Sequence, residues 1–139
     1  MITFQNLDIS HRIKDKRAIA AWIKETIQVE GKTCKDLAVV LCSDSYLREL
    51  NQKYLKHNTL TDVITFSYSE NPRMISGDLI ISIERVQDNA KNLKVYLAEE
   101  LNRVIIHGVL HLCGYDDKTT EQKLEIRAKE DSYLRKLIV

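Results

Sequence analysis

The stretch that most restricts the fold is LAEELNRVIIHGVLHLC, residues 97–113. At about 100° per residue, Leu97, Leu101, Val104, Ile105, Gly108 and Leu112 share one broad helical face. Ile106, Val109 and Leu110 carry the apolar surface most of the way round, so the spacing predicts a central, buried helix. Glu100, Arg103, His107 and His111 interrupt it as a polar stripe roughly 80° wide. Each such group costs desolvation on a buried helix unless it meets a partner. The stripe is therefore expected to face a cleft or a partner.

The rest of the chain supplies layers for that helix to lie between. Residues 2–9 (ITFQNLDI) alternate loosely and read as a strand. In DKRAIAAWIKETIQVEG, residues Ile19, Trp22, Ile23 and Ile27 follow the spacing of an amphipathic helix that Gly31 ends. LAVVLC (37–42) is a short β-branched run, read as a buried strand. Ser43 can cap the next helix, with Leu47, Leu50 and Tyr54 as its expected core face. TDVITFSY (61–68) and GDLIISI (77–83) read as strands around the turn-rich SENPRMIS. Val86, Ala90 and Leu93 mark a short helix, and TTEQ at 119–122 supplies a capping box for a last one. About four strands interleaved with about five helices predict an α/β or α+β layered domain.

Length and composition narrow the class. At 139 residues the chain suits one domain, and 44% apolar with 29% charged residues describes an ordinary globular protein. A net charge of +1 means that any anionic partner must be attracted locally. Cys34, Cys42 and Cys113 form no CxxC pair and leave one over, which argues for a reducing compartment. No basic segment followed by an apolar core opens the chain, and the apolar runs are too short to span a bilayer. The expectation is a cytoplasmic protein with no membrane partner.

The chemistry concentrates in HGVLHLCGYDD, residues 107–117. His107 and His111 lie one turn apart, about 6 Å along the axis, so both imidazoles can reach one ion at the zinc–nitrogen distance of about 2.0–2.1 Å. Gly114 sits where a helix terminator would, able to reverse the chain. Asp117 follows three residues later with Asp116 beside it, close enough to swing a carboxylate back over the last turn. Cys113 points about 160° around the helix from His111 and is excluded as a ligand. The competing reading is a pair of hydrogen-bonded core histidines beside a polar turn. Gly108 stands where a peptidase of the HExxH type carries its glutamate base, which lowers the metallopeptidase alternative.

This segment closely resembles the signature HGxLHLxGYDH of the YbeY family of metal-dependent endoribonucleases, which act in ribosomal RNA maturation. The resemblance extends to LNQKYLKHNTLTDVITF (50–66), similar to LNxxYRxxxxPTDVLSF, and to SGDLIIS, similar to the family's GD-containing strand. It implies a single α+β domain over residues 1–139, with a mixed sheet packed by helices and the metal at the end of an open groove. It also implies zinc bound by His107, His111 and Asp117, position 117 being where the family carries its third histidine. Aspartate is a legitimate zinc ligand, but its charge makes the ion a weaker Lewis acid and admits harder ions such as manganese.

Two further departures lie in the upstream segment. Leu55 replaces the arginine expected to hold a phosphate, leaving Lys53, Lys56 or His57 as substitutes without the guanidinium fork. Leu60 replaces a proline and bears on loop stiffness. The implied partners are RNA, ribosomal RNA and ribosomal subunits, with no DNA expected. Single strands suit an open groove better than a duplex. No side chain stands out as general base, so the catalytic residues stay unassigned. The rival reading is a ribosome-assembly or RNA-binding factor with a structural metal and weak or absent cleavage. Asp62, Asp78, Glu100 and Arg103 each carry a structural reading, as turn or ion-pair residues, beside a supporting role at the site.

Overall fold

Period-two alternation along the strands lets one sheet present two apolar faces. In the computed structural model, which describes residues 1–55 and 61–137, the chain runs β1 (Ile2–Asn6), α1 (Lys16–Val29), β2 (Thr33–Cys42), α2 (Asp44–Leu55), β3 (Val63–Ser67), β4 (Met74–Ser82), α3 (Ile83–Leu93), α4 (Leu97–Leu112) and α5 (Thr120–Lys136). The strand order is β1-β2-β4-β3. The first three in that order are mutually parallel, and β3 pairs antiparallel with β4. This is the expected α+β domain with a mixed sheet.

Leu37, Val39 and Leu41 of β2, with Leu79 and Ile81 of β4, face the main core shared with α1, α3, α4 and α5. Val40, Cys42, Ile64 and Ile80 face the other way, where Leu47 of α2 covers them. The LAVVLC run is continuous because both of its faces are buried. As its periodicity requires, α4 is the central helix, with Leu101, Val104, Ile105, Ile106, Gly108, Val109 and Leu110 all buried.

Several boundaries differ from those read in the sequence. β1 ends at Asn6, and Asp8 beyond it instead accepts a hydrogen bond from the Ser43 amide at 2.8 Å. β2 begins at Thr33, ahead of its apolar run, and a register shift between Cys34 and Leu37 hides the alternation there. β4 begins at Met74, inside the turn-rich segment, where Ile75 already joins the core. Tyr54 lies on the same face of α2 as Leu47 but two turns further on. There its ring meets Phe66 edge-on at 5.9 Å and is 57% exposed, while Asn51 takes the buried position. Lys56, His57 and Leu60 lie outside the described residues.

Where α1 ends, one carboxylate ties three helices together. Glu30 accepts hydrogen bonds from the hydroxyls of Tyr115 and Tyr133, with Lys129 at 3.5 Å. Burial alone would raise its pKa, but the two tyrosine hydroxyls and Lys129 more than offset that and hold it below the ordinary 4.5. A carboxylate with a depressed folded pKa stabilises the fold above its unfolded value and loses that contribution as pH falls through the folded one. Glu30→Gln should therefore cost about 2 kcal/mol in urea unfolding at neutral pH. The gap should narrow as pH falls below the ordinary 4.5, and a gap that stays constant with pH would remove the charge from this account.

Candidate metal centre

The end of α4 is built by a glycine-terminated turn. Gly114 takes a φ of 110°, its amide donates to the His111 carbonyl, and the Tyr115 amide donates to the Leu110 carbonyl, both at 3.0 Å. This pair of bonds is the Schellman closure. It folds the chain back so that the Tyr115 carbonyl reaches His111 Nδ1 at 2.9 Å, and Asp117 follows over the last helical turn. Asp117 Oδ2 stands 3.3 Å from Nε2 of both His107 and His111, and the two Nε2 atoms are 2.9 Å apart. Asp116 is exposed and outside this cluster.

A tetrahedral zinc site with ligand bonds of about 2.0–2.1 Å requires ligand atoms about 3.3–3.4 Å from one another. The three observed separations come close to that. The tautomers fit as well. His107 Nδ1 lies 2.6 Å from a carboxylate oxygen of Glu130, and His111 Nδ1 faces a carbonyl. Both partners are acceptors, so each Nδ1 carries the hydrogen and, in the neutral ring, each Nε2 presents a bare lone pair. Two lone pairs and a carboxylate converging on one point form a donor set matched to a divalent cation.

Glu130 is the residue in contact with the cluster that the sequence reading missed. It lies on α5, only 3% exposed, and also accepts from Arg103 Nη1 at 2.9 Å, while Arg103 Nη2 reaches Asp131 at 2.7 Å. Its signal was present: Ile126, Glu130 and Tyr133 share the buried stripe of α5, and a charge there demands a partner. Arg103 thus supports His107 through Glu130. Glu100 is buried instead beside Asn89, and burial raises its pKa although that hydrogen bond opposes the shift.

Burial alone would lower the His107 pKa, but the hydrogen bond and charge of Glu130, then Asp117 and Asp62, raise it above the ordinary 6.5. The surroundings favour positive charge at this ring. Asp62, read in the sequence as turn chemistry or groove support, lines a groove of about 320 Å³ together with His107, Asp117, Lys123, Arg127 and Glu130. Burial pushes its carboxyl above the ordinary carboxylate range, against the pull of His107. Asp78 accepts from the Tyr68 hydroxyl at 2.5 Å, away from the cluster. Lys53 lies on the last turn of α2 with its ammonium 5.3 Å from the centre of the Tyr54 ring, and is not among the residues lining this groove. Cys113 belongs to the core, where burial pushes its thiol up to about 12.

A mixed four-stranded sheet packed by a central helix that ends in a His–His–carboxylate cluster defines an α+β protein with a group of side chains that could hold a metal ion. The chain belongs to the endoribonuclease YbeY family, whose profile matches residues 3–138. A protein called endoribonuclease YbeY from Flavobacterium psychrophilum is 47% identical over 135 residues, which cover 97% of this chain and 95% of that one. Its namesake from Amoebophilus asiaticus is 46% identical over 127 residues, covering 91% and 86%. A solution structure of a Thermotoga maritima protein matches with a TM-score of 0.67 at 26% identity, covering 99% of this chain and 89% of that one.

Because Glu130 orients His107 and raises its basicity, Glu130→Gln should weaken zinc binding about 10–100-fold in chelator competition. An affinity equal to wild type would leave Glu130 a purely structural partner of Arg103.

Proposed function

We propose that this chain is a zinc-dependent endoribonuclease that cuts single-stranded RNA, works on ribosomal RNA in contact with ribosomal subunits, and acts in the cytoplasm as one domain over residues 1–139. Family membership supports RNA as the substrate class. The observation that carries the metal is the pair of facing Nε2 atoms, 2.9 Å apart, each with its Nδ1 hydrogen turned toward an acceptor. His107, His111 and Asp117 are the proposed ligands. No helix among the described residues is long and apolar enough to cross a membrane.

His107, His111 and Asp117 would hold a divalent ion, which would supply Lewis acidity toward a phosphodiester. The protein's own side chains do the remainder. Glu130 and the Tyr115 carbonyl hold the two imidazoles in their tautomers and directions. Arg103 compensates the charge of burying Glu130. Lys123 and Arg127, on the groove wall beside His107, would neutralise phosphate, and Lys53 and Lys56 are the proposed substrate contacts of the upstream segment. Leu55 at the end of α2 is 44% exposed and provides no guanidinium. Phosphate neutralisation in the groove thus falls to these other cations.

Wild type freed of trace nuclease should cleave single-stranded RNA, and His111→Ala should lose at least 100-fold of that rate, a typical loss for a group essential to the reaction centre. Equal cleavage by both would overturn the catalytic reading in favour of an assembly factor. A second comparison tests the third ligand by elemental analysis: Asp117→Ala should lower zinc content, while Asp116→Ala keeps it. Equal zinc in wild type and Asp117→Ala would move the third ligand elsewhere.

A further inference from the structure

The N-terminal approach to α1 carries a local excess of positive charge that the metal centre does not use. In HRIKDKR, residues 11–17, Arg12, Lys14, Lys16 and Arg17 are all exposed, and Asp15 is the one acid. None of these four cations forms an ion pair among the described residues, so their charge is free for a partner. Arg12 and Lys14 line an apolar-floored groove of about 500 Å³ with Tyr96, the residue preceding α4, whose ring is 78% exposed. Ile13, Ile19 and Leu101 are buried there, whereas Tyr96 stands out from them into solvent.

Two steps of shared lining residues connect this groove with the cluster. The groove shares Ala98 and Asn102 with a second concavity along α4, and that one shares Glu100, Arg103 and Arg127 with the groove beside His107 and Asp117. The middle section is not a barrier of negative charge. Asp131 is paired with Arg103 and Glu100 is buried, while Arg127 and Arg135 stand without ion pairs among the described residues against the exposed Glu99. From Leu97 to His107 the helix rises roughly 15 Å, a span of a few nucleotides.

We propose that the Arg12–Lys14–Tyr96 end of this path is an anchoring site for single-stranded RNA, gripping the strand a few nucleotides from the bond to be cut. Free cations track the phosphates, and an exposed aromatic ring provides a stacking platform for an unpaired base, which a duplex does not offer. An acidic protein segment would satisfy the cations but leaves the outward-facing ring without a comparable role. The inference rests on the RNA-cleaving reading for its substrate class, and its test reads binding, independently of cleavage.

The measurement is fluorescence anisotropy of the zinc-loaded full chain with a labelled single-stranded RNA longer than the path, recorded before cleavage proceeds and checked by gel for intact RNA. Arg12→Glu/Lys14→Glu should weaken binding at least tenfold and lower the slope of log affinity against log salt by about 1.4, the loss of two phosphate contacts. Tyr96→Ala should weaken it about tenfold and bring the affinity for single strands close to that for duplex RNA of equal length. Zinc content and melting temperature should match wild type in every variant, since all three positions are exposed. Unchanged affinity in the charge-reversed protein, or duplex RNA bound as tightly as single strands by wild type, would overturn the anchoring site. If RNA is bound and released as described but never cut, anchoring stands and the catalytic reading falls.

Discussion

Burial of α4 is the constraint from which the rest of the molecule follows. A helix that is apolar around most of its circumference has to be covered by the sheet on one side and by other helices on the others. Its polar stripe must then be satisfied from those same neighbours. The partners come from three separate elements: Asn89 of α3 for Glu100, Glu130 and Asp131 of α5 for Arg103, and the turn after Gly114 for His111. His107 is the pivot, because its Nδ1 reaches Glu130 while its Nε2 faces the cluster. The carboxylate that Arg103 holds in the interior is thus also the one that orients a prospective ligand.

The charge arrangement around the cluster has a direction. Asp117, Glu130 and Asp62 surround His107 with carboxyl groups, and together they raise its affinity for a proton even though burial opposes it. The same field favours a divalent cation, which competes with that proton for the Nε2 lone pair. A carboxylate at position 117 in place of a third imidazole would strengthen this attraction while lowering the net charge of an ion held there. Lys123 and Arg127 on the groove wall return positive charge to where a phosphate would lie. The carboxyl groups gathered at His107 and the cations of the groove wall are thus separate sets of residues.

Much of this could be read from the chain, where local rules dominate. The capping box at Thr119 is present, with Thr119 Oγ1 accepting from the Gln122 amide and Gln122 Oε1 accepting from the Thr119 amide, both at 3.1 Å. The reversal at Gly114 and the buried character of α4 also follow from a few adjacent residues. What escaped depends on partners distant in sequence. Met74 and Ile75 join β4 because β2 offers a register for them, although their flanks read as a turn. Glu130 lies 23 residues from His107, and no local pattern links the two. Tyr54 fits the helical period, yet its turn of α2 lies where the interior gives way to Phe66. Periodicity states which face turns inward, but tertiary contacts decide how far along the helix the inside extends.

Gly108 illustrates how packing and chemistry exclude the same alternative. In the HExxH arrangement the residue after the first histidine carries the catalytic base. One step along a helix turns the side chain by about 100°, and here that step aims position 108 at the sheet. A Cβ at Gly108 would stand 2.8 Å from Leu79 Cδ2 and 3.5 Å from Thr65 Cγ2, and Leu79 is fully buried. A glutamate at this position would have to displace the Leu79 side chain from the core and would bury an unpaired charge among the core side chains. The missing side chain thus leaves room for Leu79 to pack against α4. A hydrolase built on this frame has to find its proton acceptor elsewhere along the groove or on the substrate itself.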